Sequence, residues 1–177
     1  MSLTQILLAV AGMLAVVFVV LVFRQPKWIR CSRSALVGGT PRQTFDLIND
    51  MAAWQKWSPW EGLDPDMDRR YEGPAAGLGA VYGWKGNAKV GEGKMEVIES
   101  VPAARVKLQL TFIKPFAATM TATFELVPDA GGTKVTWTSE GPNSTPGRIV
   151  GVFCNMDKMM GGQFELGLAQ LDAAVRT

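Results

Sequence analysis

An uninterrupted apolar run at the N-terminus constrains the fold of this chain more than any other feature. From Leu3 to Phe23 no residue is charged, and only Thr4 and Gln5 are strongly polar. A helix of that length, rising about 1.5 Å per residue, spans the roughly 30 Å hydrocarbon core of a bilayer. The run lacks the basic start of a removable signal peptide and the polar stripe of a buried soluble helix. We therefore predict a single transmembrane anchor over residues 1–26.

The residues after the run predict how the anchor is oriented. Four bases follow it closely, Arg24, Lys27, Arg30 and Arg33, and the first acidic residue is Asp46. Basic flanks stay on the cytoplasmic side, and Trp28 suits the aromatic belt at a membrane interface. We predict a single-pass protein of the cell membrane with a cytoplasmic C-terminal domain. The same bases also suit the solvated start of a strand.

The remaining 27–177 segment is long enough for one ordinary domain. The whole chain carries 18 Lys and Arg against 16 Asp and Glu, a net charge of +2 that predicts no nucleic-acid partner. It contains no His, which excludes histidine-dependent nucleophilic catalysis. Its two cysteines, Cys31 and Cys154, are far apart in sequence and are expected to be reduced thiols. We expect no metal and no cofactor, and the sequence carries no signal for an oligomeric state.

Alternating residues predict an antiparallel sheet with one apolar face. Trp28 begins a first strand that ends at Gly38 and Gly39, and Thr40 starts a capped helix with Pro41 in its first turn. The clearest strands come later, in the segments GAVYGW, KMEVIES, RVKLQLTF, ATMTATFEL and TKVTWTSE. Each of the last three strands places its apolar side chains on one face, which needs a cover.

The C-terminal stretch is predicted to supply that cover as one long helix starting at Thr145 and Pro146. Its apolar residues recur at helical spacing as one stripe: Ile149, Phe153, Met156, Met160, Phe164, Leu168 and Leu171. Gly161 and Gly162 lie within it, where paired glycines permit a kink or a close backbone approach.

This order of elements resembles the helix-grip fold of the START-like (SRPBCC) superfamily, in its polyketide cyclase/dehydrase-like branch. Residues 40–84 are similar to that family's first helix, W-x-x-W-x-P-W turn, acidic loop and Gly-rich hairpin, and residues 132–141 and 156–171 resemble its last strand and closing helix. The resemblance implies an α+β domain, with a curved sheet of about six to seven strands wrapped around the long C-terminal helix. It also implies a deep apolar cavity for a hydrophobic or lipid-like molecule.

The resemblance and the strand alternation together give candidate cavity residues. The apolar candidates are Trp57, Trp60, Trp84, Met95, Leu108, Leu110, Phe112, Met120, Phe124, Trp137, Phe153, Met156, Met160 and Phe164. The polar candidates are Tyr82, Glu96 and Arg105, while Glu96 and Glu99 fall on opposite faces if their strand is regular. Trp54, Trp57 and Trp60 either line a pocket mouth, rest at the lipid headgroups or simply pack, and the methionines suit either a core or a cavity.

Two other motifs carry no specific chemistry. Asp64, Asp66 and Asp68 resemble the start of a calcium loop, but Arg69 and Ala75 occupy the positions that need Gly and Glu. The glycines of residues 73–79 match no phosphate-binding pattern and are expected in turns.

The sequence thus leaves three hypotheses open. The first is a membrane-anchored module that binds a hydrophobic molecule. The second is a cofactor-independent cyclase or dehydratase, which needs an inward-facing carboxylate, Arg or Tyr. The third is a membrane-proximal interaction module with a filled core.

Overall fold

The computed structural model describes residues 2–177, which include one antiparallel sheet and two helices packed on its concave side. The helices are α1 (Leu3–Arg24), α2 (Pro41–Asn49), α3 (Thr145–Phe153) and α4 (Met156–Val175), with 3₁₀ helices at Ala52–Lys56 and Glu61–Leu63. The strands are β1 (Trp28–Val37), β2 (Asp68–Glu72), β3 (Val81–Lys85), β4 (Glu92–Val101), β5 (Arg105–Lys114), β6 (Ala118–Asp129) and β7 (Gly132–Pro142). They lie in the order β1-β7-β6-β5-β4-β3-β2, which confirms the α+β helix-grip fold predicted from the sequence.

The strand register arranges the inward-facing side chains in rows across the sheet. Cys31 of β1 pairs with Ser139 of β7, and the row continues through Ala122, Leu108 and Val97, all of them buried. The next row, two residues further along β1, contains Arg33, Trp137, Phe124 and Val106. Alternation along each strand therefore places the predicted apolar faces on the concave side.

Two helical segments cover different parts of this concave face. α4 packs chiefly along β1, at one edge of the sheet, and α2 lies against β5, β6 and β7. The N-terminus of α2 is fixed by a capping box, because the Thr40 hydroxyl accepts from the Gln43 backbone N–H while the Gln43 side chain accepts from Thr40. The covered face is thus divided between α4 at the β1 edge and α2 nearer the centre.

α1 is long and apolar enough to cross a bilayer, and none of its residues is buried. Gln25, Pro26 and Lys27 alone separate it from β1. α3 is the part of the domain that packs against it. The end of the sheet at which β1 starts is therefore the end nearest α1.

The closing helix is not continuous, which corrects the prediction of one helix from Thr145. α3 ends at Phe153, Cys154 has an extended backbone, and α4 starts at Met156 with the Asn155 side chain accepting from the Lys158 N–H at 3.0 Å. Asn is a favoured N-cap because its short side chain satisfies a free backbone N–H of the first turn. The break turns the apolar residues of α3 away from the sheet.

β4 is also irregular, whereas the sequence-based expectation for its side chains required a regular strand. Its pairing with β5 shifts between Val97 and Glu99, so Val97 pairs with Leu108 and Glu99 with Lys107. A β-bulge inserts one extra residue and reverses the alternation beyond it. Glu99 therefore lies on the same outer face as Glu96, because β4 is not the regular strand on which the expectation of opposite faces depended.

Candidate functional site

The candidate site is the groove, which we define as the concave space between the inner face of the sheet and α4. Its deep end, at the row of Arg33 and Trp137, is filled by an aromatic cluster. Trp137 stacks on Phe164 of α4 with ring centroids 4.3 Å apart, and Trp57 lies edge-on to Phe124 at 6.0 Å. This end of the groove is a packed core.

The indoles of Trp54 and Trp57 are held in that core by hydrogen bonds. Trp54 Nε1 donates to the Ile48 carbonyl at 2.9 Å, and Trp57 Nε1 donates to the Leu47 carbonyl at 3.0 Å. A buried indole N–H usually finds such an acceptor. Both rings therefore fasten the first 3₁₀ helix to α2, and only Trp60, which is partly exposed beside Trp137, keeps an edge near the surface.

Five of the predicted apolar candidates, namely Trp57, Leu108, Phe124, Trp137 and Phe164, lie in this filled part of the groove. Sequence alternation correctly places the strand members on the inner face. Alternation does not show that the indoles of Trp54 and Trp57 occupy the space above these strand residues.

The opposite end of the groove is only partly covered. Trp84, Leu110 and Phe112 face inward there and are half-buried, whereas Met95 and Met120 on the strands beside Leu110 are buried. Leu110 pairs with both Met95 and Met120, and Phe112 lies beside Trp84 with ring centroids 5.9 Å apart. This open end is therefore a continuous apolar surface that spans β3 to β6.

The open end lies at the end of the sheet nearest α1. Ile29, near the start of β1, pairs with Gly141 of β7, and Gly141 lies against Met120 of β6. Leu110 continues the same row on β5. Since β1 follows α1 almost directly, the groove opens toward the side on which α1 lies.

A cavity of about 410 Å³ lies at the same end, between the exit of α1, β1 and the α3–α4 junction. Its lining includes two of the predicted candidates, Met156 and Met160, together with both cysteines. Ligand pockets in proteins are commonly about 300–1,000 Å³. The cavity is thus large enough for a lipid headgroup or the end of an acyl chain.

A polar cluster faces inward at the β2–β3 side of the open end. Tyr82 Oη donates to Glu61 Oε1 at 2.6 Å, and Arg69 binds Glu61 Oε2 through Nε and Nη2, both at 2.8 Å. Tyr82 is buried and Glu61 nearly so, and burial followed by the bond to Glu61 raises the pKa of Tyr82 well above its ordinary value. The phenol of Tyr82 therefore stays protonated and donates its hydrogen bond to the Glu61 carboxylate, which also forms a salt bridge with Arg69.

The other two polar candidates lie outside the groove. Arg105 is exposed on the outer face and binds Glu99, whose pKa is lowered by this bond, and Glu96 shares that outer face through its pairing with Gln109. Both directions follow from alternation, because Glu96 precedes inward-facing Val97 and Arg105 precedes inward-facing Val106. Phe153 also lies outside the groove, because the break after α3 turns it outward.

Arg33, which the sequence indicated only as one of the bases that follow the apolar run, also faces inward. It lies under α4, where Nη2 binds Asp157 at 2.8 Å and Nε binds Glu165 at 2.8 Å. Gly161 lies between these two acids, and a Cβ there would collide with the guanidinium. The spacing Asp157-Gly161-Glu165, one residue per helical turn, is the signal for such a site.

Arg33 also affects its neighbour Cys31. The thiol is buried, which is the main reason that its pKa is raised to about 11, and Arg33 partly opposes the shift. A thiol in such surroundings is inert at neutral pH. Among residues 2–177, no group of His, Cys, Asp or Glu is placed to hold a metal ion.

The curved sheet gripping a C-terminal helix, with an apolar groove and an inward polar cluster, defines a START-like helix-grip domain. Residues 29–176 match the family described as "Polyketide cyclase / dehydrase and lipid transport", and the chain belongs to that family. No curated protein matches the sequence.

Solved structures share the fold at low sequence identity. A protein from Chromobacterium violaceum is 20% identical, with 86% of this chain and 99% of that chain covered and a TM-score of 0.59. An uncharacterized protein from Rhizobium leguminosarum is 14% identical, with 84% and 95% covered and a TM-score of 0.62. The di-domain ARO/CYC StfQ from the steffimycin biosynthetic pathway is 7% identical, with 84% and 51% covered and a TM-score of 0.59. At these identities the comparisons define the fold.

Proposed function

We propose that the protein is a membrane-tethered binding module, with residues 1–26 as its transmembrane anchor and residues 27–177 as a cytoplasmic domain. The domain takes up a hydrophobic or lipid-like molecule through the open end of the groove. The observation that carries this proposal is the register that places Ile29 in one row with Met120 and Leu110. Because of this register, the uncovered apolar surface lies at the end of the sheet nearest the proposed anchor.

A tether changes the binding problem for such a domain. A ligand dissolved in the bilayer is presented at a high effective concentration to a site held within a few residues of the surface. Half-buried Trp84, Leu110 and Phe112 supply apolar contact, and the nearby cavity has space for a polar head. The family description, which includes lipid transport, supports the same function.

The test compares two substitutions on neighbouring residues of β5. Leu110→Trp fills the open end of the groove, whereas Gln109→Trp adds the same indole on the exposed outer face. The full-length proteins are purified gently in nanodiscs and analysed by native mass spectrometry for retained lipids. Binding of a panel of fluorescent lipids is then measured by titration.

We expect the unmodified protein and Gln109→Trp to retain lipid and Leu110→Trp to lose it. Thermal unfolding of all three proteins checks that each is folded. If the unmodified protein carries nothing and binds no member of the panel, the proposed function is wrong. Equal binding by the two variants would show that the ligand does not enter the open end.

The Tyr82–Glu61–Arg69 cluster favours a second candidate function, a cofactor-independent cyclase or dehydratase. Tyr82 pairs with Met95, so the phenol is in the same row as the apolar surface of the open end. The carboxylate of Glu61, positioned by Tyr82 and Arg69, is suited to accept a proton from a bound substrate. Turnover of a polyketide-like substrate that is abolished by Tyr82→Phe, with lipid binding unchanged, would support this function over simple binding.

A further inference from the structure

α3 exposes an apolar face that nothing in the domain covers. Ile149 and Phe153, one helical turn apart, are 40% and 75% exposed. The one charged residue of the helix, Arg148, is turned inward and donates from Nε to the Asn143 carbonyl at 3.1 Å. A surface helix in water normally has the opposite arrangement, with its polar face outward.

The position of this face beside α1 points to what covers it. The rings of Phe153 and Phe18 are 5.9 Å apart, and α3 packs against α1. Phe18 lies six residues before the end of α1 at Arg24, which corresponds to about 9 Å along the helix axis. If α1 spans the bilayer, Phe153 lies at the same depth, below the level of the headgroups.

The residues around α3 suit a membrane boundary. Trp28 is 58% exposed at the start of β1, and the bases Lys27, Arg30 and Lys158 are exposed near the same end of the domain. Tryptophan is enriched at the headgroup level, and bases at such a level attract anionic lipids. The apolar face of α3 is thus bordered by the residue types found where a protein enters a bilayer.

We propose that α3 is a second membrane contact, an interfacial helix that lies in the same leaflet as the C-terminal end of α1. This rests on the proposed tether, because the depth of Phe153 is set by α1. An interfacial helix buries its apolar face about 5–10 Å into the boundary between headgroups and acyl chains, which agrees with the depth of Phe18. The two contacts fix the orientation of the domain, and the cavity lined by Gln25 and Gly151 then lies at the headgroup level.

Site-directed spin labelling of the full-length protein in phosphatidylcholine vesicles tests this placement. The exposed thiol is removed by Cys154→Ser, and buried Cys31 serves as an unlabelled background. Nitroxides are then attached to Ile149→Cys and Phe153→Cys. Collision with dissolved oxygen, which concentrates in lipid, is compared with collision with a water-soluble nickel chelate.

Two reference positions calibrate the measurement. Met13→Cys reports the middle of α1, and Val127→Cys reports an exposed apolar position in the remote β6–β7 hairpin. We expect both α3 labels to collide more with oxygen than with the chelate, as the Met13 label does, and the Val127 label to do the reverse.

The outcomes separate this inference from the proposed function. If the Met13 label is in lipid and the α3 labels are in water, α3 is not a membrane contact but the tether stands. If the α3 labels are shielded from both reagents, a protein surface or a second copy of the chain covers them, and the inference is again wrong. A Met13 label in water overturns the tether and the inference together.

Discussion

Replacing Tyr82 by Phe removes a single hydroxyl from the inward polar cluster. Its bond to Glu61 is 2.6 Å long, and Tyr82 is 4% exposed. Hydrogen bonds to a charged group contribute about 1.5–3 kcal/mol to stability. Glu61 keeps its bonds to Arg69, so it is not left alone, and we expect the lower part of that range, about 1.5–2 kcal/mol. For a domain of this size such a loss lowers the melting temperature by roughly 3–8 °C.

Tyr71→Phe is the matched control for this substitution. Tyr71 stacks on Tyr82 with ring centroids 5.2 Å apart, but its hydroxyl is exposed and accepts only from Gln55 Nε2. Loss of an exposed bond costs less than about 0.5 kcal/mol. Thermal unfolding in nanodiscs, followed by tryptophan fluorescence, measures both variants against the unmodified protein.

The stability difference between Tyr82→Phe and the unmodified protein also has an expected pH dependence. Because burial and then the bond to Glu61 raise the pKa of Tyr82 in the folded protein, its stabilising contribution is complete below the ordinary tyrosine pKa near 10 and is lost as the pH rises above it, where the unfolded chain ionises first. The difference between Tyr82→Phe and the unmodified protein is therefore expected to be the same at neutral and mildly alkaline pH. Equal melting temperatures for Tyr82→Phe and Tyr71→Phe would refute the assignment of a stabilising role to this cluster.

Two further predictions concern α4 and the thiols. Gly161→Ala places a methyl group against the Arg33 guanidinium and is expected to lower the melting temperature. Gly162→Ala faces open space and is expected to raise stability by up to about 1 kcal/mol, because alanine favours a helix more than glycine does. Equal effects of the two substitutions on the melting temperature would contradict close packing at Gly161. Alkylation followed by mass spectrometry should modify exposed Cys154 rapidly at neutral pH and buried Cys31 slowly, with the Cys31 rate still increasing up to about pH 11 because its thiolate is disfavoured until then. Equal rates at neutral pH would contradict the burial of Cys31.

The fold was predictable because it depends on alternation that the sequence shows directly. Val106, Leu108 and Leu110 occupy alternate positions, and the structure places all three on the inner face of β5. Capping signals at Thr40 likewise located the start of α2. In each case the pattern is local, and the pleat or the helix turn converts it into one face.

The break between α3 and α4 is a different case. Apolar residues continue at helical spacing across Cys154, so periodicity gives no sign of an end. The signal was Asn155, whose N-cap preference competes with helix continuation, followed by Asp157 in the first turn. β2 was not predicted either, because Asp68–Glu72 is a polar edge strand without the apolar alternation that indicates a strand.

The candidate site was harder to predict than the fold. Whether an inward residue lines a groove or a packed core depends on what lies above it, and that is decided by non-local packing. Trp54 and Trp57 fill the deep end because carbonyls of Leu47 and Ile48 accept their indole N–H groups. Glu61, the centre of the polar cluster, lies in an irregular segment where no periodicity indicates its direction.

The relation between the anchor and the groove follows from covalent geometry and strand register together. The step from Arg24 to Trp28 spans at most about 14 Å, so the row of Ile29 stays near the end of the proposed anchor on whichever side the domain lies. Register then extends that constraint across the sheet to Leu110, which is on another strand. The proposed uptake from the bilayer therefore does not depend on the predicted cytoplasmic orientation, since reversing the anchor would move the domain to the other surface with its open end still facing lipid.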